Sequence, residues 1–71
     1  MEINRVTNNI KKLRFINGEI SQQMLADLVG CTRQTINSLE KDKYSPSYLL
    51  VCKIAKIFNV KPDEVIVIDF K

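Results

Sequence analysis

The sequence predicts a mainly α-helical domain with five short helices and a small antiparallel sheet made from its two ends. Apolar residues recur at three- and four-residue spacings through most of the chain, which is typical of helices that bury one face. Three helical segments follow a Ser or Thr that can cap a helix. The C-terminal VIVIDF is instead rich in β-branched residues and predicts a strand. A chain of 71 residues makes one domain, which we take to span residues 1–71.

The stretch QQMLADLVGCTRQTINSLEK, residues 22–41, predicts two helices that meet at Gly30. A glycine takes positive φ at little steric cost, so the chain can turn sharply there. Thr32 stands where the second helix needs a cap. The expected inward side chains are Leu25, Leu28 and Val29 in the first helix and Ile36 and Leu39 in the second. This pattern predicts a helix-turn-helix over residues 21–41.

The other face of the second of these helices is polar. With Ile36 and Leu39 inward, a step of about 100° per residue turns the remaining side chains outward. They are Gln34, Asn37, Ser38 and Lys41, with Arg33 at the exposed N-terminal edge. Arg pairs with guanine, Gln and Asn with adenine and Ser with either, while Lys binds phosphate. An ordinary solvated face more often alternates Glu and Lys, so we expect this face to bind DNA.

The remaining elements follow from local signals. We expect a first helix capped by Thr7 or Asn8 that ends near Ile16. Phe15 and Ile16 are expected to complete the core around Ile20, and the alternative is that they form a surface for a partner. Ser47 can cap a helix over Tyr48 to about Phe58, and Pro62 can open a short fifth helix. The predicted strands cover about residues 2–6 and 65–70, and we expect them to pair, because a lone strand cannot satisfy its backbone.

Composition limits the chemistry. The net charge of +3 and the pI of about 9.0 fit a nucleic-acid binder, and basic residues surround the predicted DNA-binding helix. The chain has no histidine, and Cys31 and Cys52 lack metal-site spacing, so we expect no metal, no cofactor and no enzymatic activity. We expect both cysteines to be small buried apolar residues. With no long apolar run or signal sequence, we expect a cytoplasmic protein without membrane contact.

The run SQQMLADLVGCTRQTINSLEKDKYSPS, followed by KIAKIFNVKPDEV, resembles the Cro and phage-repressor (XRE-like) type of helix-turn-helix regulator. The resemblance covers roughly Asn8 to Val65 and is closest to short stand-alone members. It implies a lambda-repressor-like domain that binds two-fold operators as a homodimer, usually to repress.

The resemblance also implies roles for single residues. Gln22 would bind a phosphate and brace Arg33. The other phosphate contacts would be Thr32, Lys41 and Lys43, and the residues that enter the major groove would be Arg33, Gln34 and Asn37 or Ser38. Arg14 and Glu40 lie at the core edges of the first and third helices. The resemblance suggests that they form a partly buried ion pair, whereas the alternative is a loose surface pair.

A homodimer is expected because one helix-turn-helix contacts too few base pairs and a small core gains from added apolar burial. The candidate interface residues are Leu49, Ile57, Val65, Ile66, Ile68 and Phe70. The sequence leaves open whether the C-terminal strand pairs within one chain or across the dimer. The alternative function is an antitoxin or adaptor module that binds protein. An adaptor would tolerate acidic or large apolar residues on the third helix, so its polar face favours the DNA-binding hypothesis.

Overall fold

The computed structural model describes residues 2–42 and 46–70, so the predicted phosphate contact of Lys43 lies outside the described residues. Within these ranges the chain forms five helices and one two-stranded antiparallel sheet, which confirms the predicted fold class. The elements in order are β1 (Ile3–Asn8), α1 (Ile10–Ile16), α2 (Gln22–Val29), α3 (Arg33–Glu40), α4 (Tyr48–Phe58), α5 (Pro62–Val65) and β2 (Ile66–Phe70).

Side-chain caps begin three of the helices, as the sequence predicts. The hydroxyls of Ser21, Thr32 and Ser47 each accept a hydrogen bond from the backbone N–H three residues later. Gly30 ends α2 with φ of 80°, in the left-handed region that a residue with a Cβ rarely adopts. Pro62 is at the first position of α5.

The start of α1 differs from the prediction. β1 continues to Asn8, beyond the expected end near residue 6, because Asn8 still pairs with Ile66 in the sheet. The cap position therefore falls to Asn9, whose side chain makes no capping bond. Asn8 instead accepts from the N–H of Ile10 through its Oδ1, at 3.1 Å.

The two strands pair within one chain, which answers the question that the sequence leaves open. Val6 lies opposite Ile68 and Asn8 opposite Ile66, with an irregularity between Ile3 and Arg5. β2 begins at Ile66 rather than at Val65, because Val65 is still part of α5. The sheet therefore joins the two ends of the chain beside the helices.

The core lies between the helices and contains one apolar cluster. Its members are Ile10, Leu13, Leu25, Ala26, Val29, Ile36, Leu39, Val51, Ile54, Ala55, Phe58 and Val65. Three residues expected inside are exposed instead: Leu28, Phe15 and Ile16, the last two by 52% and 67%. Each is adjacent in the chain to a residue that is buried or hydrogen-bonded to the core, namely Val29, Arg14 and Asn17. Helical spacing alone did not show which residue of each pair faces the core.

Candidate nucleic-acid interface

α3 presents the predicted polar face to solvent. Ile36 and Leu39 are buried against the core, which fixes the rotation of the helix. Arg33, Gln34 and Lys41 are exposed, with Lys41 directly after the last residue of α3. Asn37 and Ser38 are half-buried at the edge of the same face. The exposed side chains are a guanidinium, an amide and an ammonium group, which can donate hydrogen bonds to base edges and phosphates.

The N-terminal end of α3 is fixed by its own threonines. The hydroxyl of Thr32 accepts from the N–H of Thr35 at 3.2 Å and contacts the Thr35 hydroxyl at 2.9 Å. This cap satisfies one of the free N–H groups that every helix start carries. Thr32 is exposed, so its side chain remains accessible at the end of the polar face.

Gln22, at the start of α2, bonds to α3 but not to the residue that the resemblance implied. Its Nε2 donates to Asn37 Oδ1 at 3.3 Å and to Glu40 Oε1 at 3.1 Å. The expected brace of Arg33 is therefore replaced by a brace of Asn37 and Glu40. With its oxygen engaged, Asn37 still has its Nδ2 group as a hydrogen-bond donor.

Arg14 and Glu40 lie together in an ion pair with two hydrogen bonds. Arg14 Nε and Nη2 donate to the two Glu40 carboxylate oxygens at 2.7 and 2.9 Å, and Nη1 donates to the carbonyl of Ile20 at 2.9 Å. The side chains are only 10% and 7% exposed, so this is not a loose surface pair. The hydrogen bond to Glu40 raises the pKa of Arg14, outweighing the opposing effect of burial. The pair joins α1 to α3.

A further contact of α3 was not predicted. Asn8 Nδ2 donates to the carbonyl oxygen of Leu39 and to Asp42 Oδ1, both at 2.7 Å. Leu39 and Asp42 lie 31 and 34 positions after Asn8 in the chain, so no local sequence pattern could have indicated the contact. Asn8 therefore reaches from the end of β1 to the C-terminal end of α3.

Cys31 and Cys52 are less buried than the sequence predicts. Both are free thiols and half-buried rather than fully buried as expected. Burial raises the pKa of the Cys31 thiol, while the positive charge of Lys53 acts in the opposite direction. Within residues 2–42 and 46–70, no three His, Cys, Asp or Glu side chains come close enough together to hold a metal ion.

The candidate interface residues are distributed over different surfaces. Ile68 borders an apolar groove between the sheet and the start of α4, which we call the sheet groove. Its apolar lining includes Ile3, Val6, Tyr48, Ile66 and Ile68. Phe70 and Leu49 are also exposed, by 50% and 64%. Ile57 borders a second groove, between α2 and α4.

Val65 was wrongly assigned to the interface. It is 0% exposed and belongs to the core, because it ends α5 with its side chain turned inward. Ile3 and Val6 of β1 are exposed apolar residues that the sequence reasoning missed. Ile3 lies opposite Phe70 and Val6 opposite Ile68, and both border the sheet groove because the strand is irregular between Ile3 and Arg5. This could be inferred only once the register was known.

No described helix has the length and apolar character that crossing a bilayer requires. The longest described helix, α4, has 11 residues, and a spanning helix needs about 20.

Comparison with known proteins identifies the family. The helix-turn-helix family HTH_3 matches residues 10–65. The chain is 47% identical over 58 residues to the HTH-type transcriptional regulator YgzD of Bacillus subtilis, covering 82% of this chain and 86% of that protein. It is 42% identical over 60 residues to an HTH-type transcriptional regulator of Methanocaldococcus jannaschii, covering 84% and 89%.

Solved structures agree with this assignment. The restriction-modification controller protein C.AhdI of Aeromonas hydrophila is similar with a TM-score of 0.71 and 28% identity, over 79% of this chain and 80% of that one. A putative DNA-binding protein of Bacteroides fragilis gives a TM-score of 0.76 and 27% identity, over 87% and 98%. The polar face of α3 lies within the helix-turn-helix that defines this family. The chain belongs to the HTH_3 (XRE-like) family of helix-turn-helix transcriptional regulators, a non-enzymatic class of DNA-binding proteins.

Proposed function

We propose that this protein is a homodimeric repressor that binds a two-fold DNA operator with α3, the recognition helix, in the major groove. The proposal rests on one observation above all: the polar face of α3 is exposed while the helix is fixed from behind. Gln22 bonds to Asn37 and Glu40, and Glu40 bonds to Arg14. A recognition helix must keep its orientation to select a base sequence, and this network supplies the constraint.

The side chains of the face divide by reach and chemistry. Arg33 and Gln34, exposed in the first turn, are proposed to contact base edges, because a guanidinium and an amide can each form two bonds to one base. Asn37 and Ser38, half-buried further along, are proposed to assist them. The proposed phosphate contacts are Gln22, Thr32, Lys41 and Lys43.

Dimerisation is supported by the sheet groove. Ile68 and Val6 face each other across the two strands and are 46% and 48% exposed. A two-stranded sheet cannot cover its own apolar face. A second copy of the chain would remove this surface from water and place two recognition helices on one DNA. We propose the sheet groove, with Phe70 and Leu49, as the dimer contact.

A protein-binding role is the second candidate, as in antitoxins and adaptors. It is supported by Phe15 and Ile16, which are exposed at the C-terminal end of α1 although both are large and apolar. The two functions can coexist, since these residues belong to α1 and the proposed DNA-binding face belongs to α3.

Selection of binding sites from a random DNA library tests the first proposal. The wild-type protein should enrich a two-fold sequence whose half-site centres lie about 34 Å apart, one turn of DNA. A protein with Arg33→Ala and Gln34→Ala together serves as the control, because it retains the proposed phosphate contacts. If the wild-type protein enriches no more than this control, sequence-specific DNA binding through α3 is wrong.

A further inference from the structure

The side chain of Asn8 makes three hydrogen bonds at one junction. Its two N–H groups donate to the Leu39 carbonyl and to the Asp42 carboxylate, and its oxygen accepts from the N–H of Ile10. Asn8 itself is half-buried at the last position of β1. One side chain thus connects β1, the start of α1 and the end of α3.

The bond from Asn8 satisfies a carbonyl group in the last turn of α3. The last four carbonyl groups of a helix have no partner within the helix. Leu39 belongs to this last turn, and its carbonyl accepts both from Asn8 and from the N–H of Asp42 at 3.0 Å. Asp42 has a φ of 57°, in the left-handed region, where the chain leaves the helix. Asn8 therefore bonds to a carbonyl of the last turn of α3 and to the side chain of Asp42, where the chain leaves the helix.

The backbone around Asn8 is itself fixed. Asn8 pairs with Ile66 at the start of β2, and the N–H of Asn9 donates to the carbonyl of Val65 at 2.9 Å. The position of the Asn8 amide is therefore determined by the terminal sheet. Through this amide, the C-terminal end of α3 is tied to the sheet whose groove we propose as the dimer contact.

We propose that Asn8 is a positioning residue for DNA recognition: its amide fixes the C-terminal end of α3 relative to the terminal sheet, and so sets how the recognition helix meets the bases. This inference rests on the proposed function. Thr32 caps the start of α3, the Gln22–Glu40–Arg14 network holds its inner side, and Asn8 adds a bond from the terminal sheet to its last turn.

The matched variants are Asn8→Ala and Asn9→Ala. Asn9 is the next residue, and its side chain donates to the carbonyl of Glu64 at 3.0 Å, so it bonds to α5 and not to α3. Each variant removes one asparagine side chain from the same junction. A general loss of stability should affect both variants, whereas loss of helix positioning should affect Asn8→Ala alone.

Two measurements distinguish the variants. Hydrogen exchange by NMR should show faster exchange of the Lys41 and Asp42 amides in Asn8→Ala than in Asn9→Ala. Binding to the selected operator and to its single-base variants should show that Asn8→Ala loses about threefold to tenfold of the wild-type discrimination, a part of what one bidentate base contact provides. Asn9→Ala should retain the wild-type preference.

A rescue experiment tests the bond itself. Asn8→Asp places two carboxylates against each other and should discriminate least. Adding Asp42→Asn restores a donor and an acceptor at this position, so the double variant should discriminate better than Asn8→Asp alone. Non-additivity of this kind is the signature of a direct contact.

The outcomes are separable. If Asn8→Ala and Asn9→Ala behave alike in both measurements, or if exchange rises without loss of discrimination, Asn8 is only a structural cap and the proposal is wrong. If the wild-type protein itself prefers no DNA sequence, the proposed function fails, and this inference fails with it.

Discussion

The helix-turn-helix and the terminal sheet differ in which side chains remain without a partner inside the protein. In the helix-turn-helix, the half-buried and buried polar groups are bonded to one another: Gln22 to Asn37 and Glu40, and Glu40 to Arg14. Among the residues that the structure describes, no buried side-chain nitrogen or oxygen lacks a partner. The polar groups of α3 that remain exposed are those on its outer face.

In the terminal sheet, it is apolar side chains that remain exposed to solvent. Ile3, Val6, Ile68 and Phe70 are each about half exposed although all lie in paired strands. The backbone of the sheet is hydrogen-bonded, but the described part of the chain does not cover its apolar face.

The difference indicates what each region needs from outside. The polar face of α3, behind which the buried polar groups are hydrogen-bonded to one another, is suited to a charged and hydrogen-bonding partner such as DNA. An apolar surface that the chain cannot cover is suited to a second protein surface. The two regions are joined at Asn8, which belongs to the sheet and bonds to the end of α3.

The largest expected effect comes from breaking the polar network. Glu40→Ala leaves the buried Arg14 without its partner and should lower the free energy of unfolding by about 3–5 kcal/mol. Glu40→Gln, which retains the shape, should lie between this variant and the wild type. Urea denaturation measures both. Asp27→Ala, which removes an exposed carboxylate of α2 that accepts from the exposed Gln23, is the control and should change little. A loss below about 1 kcal/mol in Glu40→Ala would mean that the pair behaves like a surface pair.

A charge on the apolar face of the sheet should have the next largest effect. Ile68→Glu places a carboxylate in the sheet groove and should convert the proposed dimer to a monomer at tens of micromolar. Operator affinity should then fall at least tenfold, about 1.4 kcal/mol. Sedimentation equilibrium measures the oligomeric state and fluorescence anisotropy the affinity.

Val67→Glu is the matched control for Ile68→Glu. Val67 is the adjacent residue, 39% exposed against 46% for Ile68, and points to the opposite face of the strand. If both variants dissociate equally, or if the wild-type protein is a monomer with and without DNA, the proposed dimer surface is wrong.

The smallest expected effect concerns Lys41, which should bind phosphate without base preference. Lys41→Ala should weaken operator and random DNA by the same factor and reduce the slope of log affinity against log salt by about 1. Lys56→Ala serves as the control, because the exposed Lys56 of α4 borders the groove between α2 and α4 and belongs neither to α3 nor to the sheet groove. A loss confined to the operator would place Lys41 among the base-contacting residues instead.

Local signals account for what the sequence predicted well. Capping by Ser21, Thr32 and Ser47 depends on residues only three positions apart, and the turn at Gly30 depends on one backbone angle. The polar face of α3 follows from helical rotation once Ile36 is buried. These features could therefore be inferred without knowledge of the fold.

Long-range packing accounts for what the sequence did not predict. Val65 is buried because α5 packs against the core, and Leu28 is exposed because α2 turns that side away from it. Neither follows from hydrophobicity alone. The bonds of Asn8 to α3 and of Gln22 to Asn37 depend on side chains that meet only after folding.

We propose that α3 selects DNA sequence through the side chains at its start. The most direct measurement is the binding of wild type, Arg33→Ala and Gln34→Ala to the selected operator and to every single-base variant of it. Arg33→Ala should lose about 1–3 kcal/mol of discrimination at particular guanines, and Gln34→Ala the same at particular adenines, symmetrically in the two half-sites. If each substitution instead weakens all the DNA variants by one common factor, these side chains bind phosphate and the assignment of base recognition to them is wrong.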